Sequence, residues 1–283
     1  MEKKRIAELN TLSAEIRLQT LRIIGSLGFG HVGGSMDLAE LLAVLYGEVM
    51  HYDPANPRME DRDWLVTSKG HAGPAVYATL GLMGFFPKDD ALMLNKPHTR
   101  FPSHTDRKLT PGIDLTTGSL GQGVSTATGA ALGNKIDKKD NYVFCIIGDG
   151  EADEGQVWEA FHFAFAHELD NIIYIIDRNG YQLDGTTDDI LRHGDLAKKA
   201  ESFGLFTQTV CGHDVEALYN AIEKAKSVKG VPSCIVMDTI KGKGATFAEP
   251  THEHSSQPTA EKWAEAIAAA EKSLAEIRAL EQA

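Results

Sequence analysis

The sequence predicts an α/β fold, a parallel sheet with helices on both faces. Three observations carry this. Apolar runs of strand length alternate with helically periodic segments along the chain. Two of the runs, Tyr142 to Ile147 and Ile172 to Ile176, flank a stretch from Glu154 to Leu169 in which Val157, Trp158, Phe161, Phe165 and Leu169 recur at helical spacing. That is one strand–helix–strand unit, and such units are right-handed. Each run also ends in turn residues, Gly148-Asp149-Gly150 and Asp177-Arg178-Asn179-Gly180. Asp149 and Asn179 therefore leave the sheet at its carboxyl edge, where open parallel sheets bind ligands.

The elements follow in order. Ile6, Leu9, Leu12, Ile16, Leu21 and Ile24 predict one long helix or two short ones from Ile6 to Leu27, broken by Gly28 to Ser35. A second helix is expected from Asp37 to Met50, with Asp37 as N-cap and Glu40 completing a capping-box pattern. Trp64 to Thr67 reads as a short buried strand delivering Ser68-Lys69-Gly70-His71, and a helix follows from Pro74 to Gly84. Asn95 to Pro111 has no period and is long for a structureless loop, which points to function. Thr116 to Gly123 opens a small-residue helix, Val124 to Leu132. Beyond a loop at Asp184-Gly185 come a helix (Asp195 to Phe203), a strand (Phe206 to Val210), a helix (Val215 to Val228) and a strand (Ser233 to Asp238). The Gly-rich loop Lys241 to Gly244 and a final helix from Thr259 to about Leu280 close the chain. No internal repeat interrupts this order, and residues 1–283 read as a single domain.

A hydrophobic content of 42% in 283 residues supports a sizeable core. The net charge of −12 argues against nucleic acid and against an anionic membrane surface. Cys145, Cys211 and Cys234 form no CxxC pair, and two of them sit in apolar runs, so free thiols are expected. The N-terminus enters an amphipathic helix rather than an apolar leader, and no apolar stretch reaches membrane-spanning length. A cytoplasmic location is the expectation.

One carboxylate and one amide oxygen, at Asp149 and Asn179, suit a hard cation such as Mg²⁺. Gly148 and Gly150 allow close backbone approach to a diphosphate. Of the eleven histidines, His31, His71, His104 and His254 lie in Gly- or Pro-rich loops and are candidates for proton transfer. Zinc at His252 and His254 is set aside, because the cysteines lack matching spacing. Gly242-Lys243-Gly244 is too short for a P-loop, and no clear strand precedes Gly28-Phe29-Gly30.

Together these motifs resemble the transketolase family, and more narrowly the N-terminal subunit of a split transketolase. The GDG followed about thirty residues later by an Asn-containing turn resembles the thiamine diphosphate signature. Gly30 to Met36, Ser68 to His71, Ser103-His104, Thr116 to Gly123, Gly148 to Gly155 and Asp177 to Gly185 are similar to successive family motifs. The resemblance implies cofactor contacts at His71, Gly118, Ser119, Leu120, Gly150, Glu154, Asn179 and His254. It implies Mg²⁺, with Ca²⁺ or Mn²⁺ as substitutes, on Asp149, Asn179 and the carbonyl of Tyr181, leaving the Tyr181 side chain free to vary. His31, His104 and His254 would line the substrate channel, and Glu154 would sit at the partner interface. Ser103 in place of Gly and Thr105 in place of Pro depart from the pattern beside His104.

The implied reaction moves a two-carbon ketol unit from a ketose to an aldose. Single-chain relatives continue into a pyrimidine-binding domain, which carries the glutamate that activates the cofactor. A separate C-terminal subunit is therefore expected, and with it a heterotetramer. Substrates range from ordinary pentose phosphates to sulfonated or branched sugars. The alternatives are a subunit similar to deoxyxylulose-phosphate synthase or to 2-oxoacid dehydrogenases, and a non-catalytic thiamine diphosphate-binding subunit.

Overall fold

The apolar runs become strands because most are buried on both faces. The computed structural model describes residues 1–281. Its strands are β1 (Trp64–Thr67), β2 (Val143–Gly148), β3 (Ile172–Arg178), β4 (Phe206–Cys211) and β5 (Ser233–Asp238). All pair in parallel, in the order β1-β2-β3-β5-β4. Edge strand β4 is only partly buried, whereas β2, β3 and β5 are buried almost throughout.

Alternate residues serve opposite faces. Phe144, Ile146, Ile173, Ile175, Ile235 and Met237 pack under α1 (Lys3–Gly25), α3 (Ala39–Val44), α4 (Gly73–Leu82) and α9 (Val215–Ser227). Cys145, Ile147, Tyr174, Ile176, Cys234 and Val236 pack under α5 (Gln122–Ile136), α6 (Gly155–Ala166) and α8 (Leu196–Ser202). A third cluster joins α1 to α10 (Ala260–Glu281) through Leu21, Ile24, Trp263 and Ala266. Two one-turn helices, α2 (Gly33–Met36) and α7 (Thr187–Ile190), interrupt loops. Cys145 and Cys234 are buried free thiols, and Cys211 is exposed. No helix among the described residues is long and apolar enough to cross a membrane.

The register aligns Gly148 with Asp177, so β2 and β3 end together and Asp149 and Asn179 emerge side by side. The expected helix from Asp37 to Met50 is different in detail. Helix α3 starts at Ala39 and passes into a π-helical turn at Leu45–Val49. Asp37 does not cap it. Its carboxylate accepts from the Gly242 amide and from the Asn179 side chain, both at 2.9 Å. Glu40 likewise turns away from the helix start, to Arg17 at 2.8 Å.

Candidate active site

The loops leaving β1, β2, β3 and β5 surround a cavity of about 210 Å³ at the carboxyl edge. β1 supplies Lys69 and His71, β2 supplies Gly148 to Glu151, β3 supplies Asn179 to Leu183, and β5 supplies Lys241. Gly34, Leu120 and His254 complete the wall. A Cβ at Gly34 would sit 3.2 Å from the His71 Nε2 and 3.4 Å from the Lys69 ammonium, so glycine there admits both side chains. A larger cleft of about 320 Å³ between α1 and α10 is lined by the ion pairs Arg22–Glu271 and Arg278–Glu15 and contains no histidine.

One side of the cavity is an acidic cluster with two fixed ammonium groups. Asp149 accepts from the Gly150 amide at 2.8 Å and the Gly180 amide at 2.6 Å. Burial, and then the charge of Asp177, push its carboxyl up to about 6. Burial and Asp177 also raise Asp37. Lys69, itself buried, donates to Asp177 and to the Gly34 carbonyl. Burial opposes the Lys69 charge, but Asp177 and Asp37 outweigh it and the ammonium is held. Lys241 donates to the Tyr181 carbonyl at 2.7 Å. The residues present fit a divalent cation: Asp149 carries buried charge that a cation would relieve, and the Tyr181 carbonyl already faces one.

The other side is imidazole. His31 stands 5.5 Å from His71, 5.6 Å from His104 and 5.4 Å from His254, ring centre to ring centre, and His71 and His254 are 4.7 Å apart. Burial holds all of them below their ordinary range. Lys69 adds to the effect on His71, His104 adds to it on His31, and Lys241 helps bring His254 down to about 3. All four imidazoles are therefore uncharged at neutral pH and able to exchange hydrogen bonds with hydroxyls.

The long loop is pinned where it carries His104. Ser103 bonds to Asn95, its amide donating at 2.8 Å, and Tyr77 donates to the Pro102 carbonyl at 2.7 Å. The hydroxyls of Thr105 and Thr117 meet at 2.8 Å, and Thr117 donates on to the Thr67 carbonyl at 2.7 Å. The two departures from the family pattern are thus structural ties in this chain. Gly118, at φ 152°, leaves room for the His104 ring, which a Cβ would approach to 3.3 Å.

His71, Leu120, Asp149, Gly150, Asn179, Tyr181 and His254 line the cavity, and His31 and His104 adjoin it through the imidazole cluster. Gly118 and Ser119 lie outside the lining, and so does Glu154, exposed at the start of α6. Glu151 is the buried glutamate of that segment. It accepts from Ser68 at 2.5 Å, the Gly121 amide at 2.8 Å and the Gly148 amide at 3.1 Å, tying three cavity loops together. The Tyr181 side chain is not idle. It stacks on His252 at 4.2 Å, joining the Asn179 loop to the His254 loop. Sequence reasoning passed over Glu151, Lys69, Lys241, Asp37 and Asp177. For all but Asp37, which lies between α2 and α3, the available signal was a place inside or beside the Gly-rich strand ends.

The family described as "Transketolase, thiamine diphosphate binding domain" matches residues 9–274. The 6-deoxy-6-sulfo-D-fructose transketolase subunit SqwG of Clostridium sp. (strain MSTE9) is 49% identical over 258 residues, covering 91% of this chain and 94% of that protein. An apulose-4-phosphate transketolase subunit of Phocaeicola vulgatus is 31% identical, covering 93% of each. Among solved structures, transketolase from Leishmania mexicana superposes with a TM-score of 0.84 at 28% identity. That match takes in 97% of this chain but 45% of the other, so this chain spans under half of that transketolase.

Proposed function

This chain belongs to the transketolase family, in its thiamine diphosphate binding domain, and from that premise we propose that residues 1–283 act as one domain, the diphosphate-binding subunit of a transketolase. The assembled enzyme transfers a two-carbon ketol unit from a ketose to an aldose. The observation that carries this is the cavity itself, with oxygen ligands for a cation on one side and neutral imidazoles on the other.

Asp149, Asn179 and the Tyr181 carbonyl hold Mg²⁺ against the diphosphate. Gly150 gives the diphosphate backbone access, and Lys69 and Lys241 add positive charge beside it. Bound thiamine diphosphate supplies the acidic thiazolium carbon and the electron sink for making and breaking a carbon–carbon bond. His71 contacts the cofactor. His31, His104 and His254 hydrogen-bond the ketose hydroxyls and carry the proton traffic, with His254, brought down to about 3, the weaker base.

The cavity mouth supports the need for a second subunit. Leu120 and Leu183 line it yet stay 36% and 69% exposed. A pyrimidine-binding subunit covers this mouth, with Glu154 at the contact, and two such pairs close into a heterotetramer. The enzyme works in the cytoplasm, in keeping with its free thiols. The names of the two subunit relatives make a modified ketose, sulfonated or branched, a substrate to assay beside the ordinary sugar phosphates.

The test assays the chain alone and with the product of the adjacent gene, using xylulose 5-phosphate or 6-deoxy-6-sulfofructose as donor. Activity is expected only in the mixture, with a mass by light scattering that matches two pairs. Full activity from the lone chain would overturn the split-enzyme reading.

A further inference from the structure

A side-chain amide can offer a cation its oxygen but not its nitrogen, so Asn179 ligates only in one of two orientations. Its amide nitrogen donates to Asp37 at 2.9 Å and lies 3.4 Å from Asp177. Its oxygen accepts from the Tyr181 amide at 3.0 Å. Turning the amide over would set its oxygen against two carboxylates and its NH₂ group against an N–H. Both carboxylates are themselves held. The Gly242 amide donates to Asp37 at 2.9 Å, and Lys69 and Thr239 donate to the two oxygens of Asp177. Both aspartates are fully buried, so water cannot substitute for them.

We propose that Asp37 and Asp177 are positioning residues that fix the Asn179 amide with its oxygen toward the divalent cation, Asp177 being locked in turn by Lys69 and Thr239. This rests on the metal–diphosphate reading above. It gives Asp37 a role its place before α3 conceals.

The experiment follows thiamine diphosphate binding to the full chain by calorimetry across a series of MgCl₂ concentrations. Asp37→Asn should raise the MgCl₂ needed for half-maximal binding by roughly 10- to 100-fold, the usual cost of losing an outer-shell partner. Saturating MgCl₂ should restore the wild-type affinity. The metal-free thermal midpoint should not fall, because a crowded buried carboxylate has been removed; a merely structural role would lower it and leave the MgCl₂ requirement alone. Where Asp37→Asn does not fold, Thr239→Val, which loosens Asp177, should shift the requirement in the same direction. An unchanged requirement in folded variants overturns the inference. A wild-type chain with no Mg²⁺-dependent binding instead overturns the metal reading beneath it.

Discussion

The Lys241 ammonium donates to the Tyr181 carbonyl oxygen at 2.7 Å, placing a fixed cation on one of the three oxygens proposed to hold Mg²⁺. Two positive charges at one carbonyl repel each other, and the negative diphosphate relieves both. Burial already disfavours the Lys241 charge. Lys241→Met should therefore weaken thiamine diphosphate binding by roughly 10- to 100-fold, the worth of one charge-assisted hydrogen bond. Calorimetric titration at saturating MgCl₂ checks this, and an affinity equal to wild type would remove Lys241 from the diphosphate site.

Asp149 gives a pH dependence whose sign follows from its environment. Its carboxyl rises from 3.8 to about 6 on folding, through burial and the Asp177 charge. A raised carboxyl contributes stability below the unfolded value, and that contribution is lost as pH rises through about 6. The metal-free chain thus carries a penalty at neutral pH that Mg²⁺ offsets. The thermal shift produced by thiamine diphosphate with MgCl₂ should be larger near pH ~7.5 than near pH ~5. Asp149→Ala should abolish Mg²⁺-dependent binding with the circular dichroism of the fold retained. Equal shifts at both pH values, together with unchanged affinity in the variant, would place the metal elsewhere.

His104 touches His31, not the acidic side of the cavity. His104→Ala should lower turnover of the assembled enzyme by about 100- to 10,000-fold, with little change in cofactor affinity. Steady-state kinetics beside a binding titration separate the two effects. Normal turnover with weak cofactor binding would move His104 to the diphosphate.

Behind the Lys241 loop, Arg17 pairs with Glu40 at 2.8 Å and donates to the Lys243 carbonyl at 2.9 Å, while His213 bonds Glu40 at 3.2 Å and accepts from the Ile240 amide at 2.9 Å. Burial works against the Glu40 charge, but Arg17 and His213 prevail and hold its carboxyl down to about 2. A depressed carboxyl gives stability that is present above about 4.5 and lost as pH falls toward about 2. Arg17→Met should cost about 3 kcal/mol, since it strands a buried carboxylate. Denaturant titrations at neutral pH and at about pH 3 should show that cost shrinking with acid. A variant as stable as wild type at neutral pH would show that the clamp does not hold the loop.

What the sequence by itself determined is local. Strands Trp64–Thr67 and Ser233–Asp238 match their apolar runs residue for residue. The unit from β2 to β3 follows from periodicity and handedness, and this alone sets Asp149 beside Asn179. Only the tertiary structure decided which loops meet. Asp37 looks like an N-cap in sequence and instead holds Asn179, 142 positions away. Glu151 is buried and Glu154 exposed, although both follow the same GDG. Lys69 and Lys241 face one acidic cluster from the loops after β1 and β5, on either side of β2 and β3, and the four imidazoles converge from four separate loops. The physical reason is that periodicity reports which face of an element is buried. The partner of a buried charge is set by desolvation, which only the closed fold imposes.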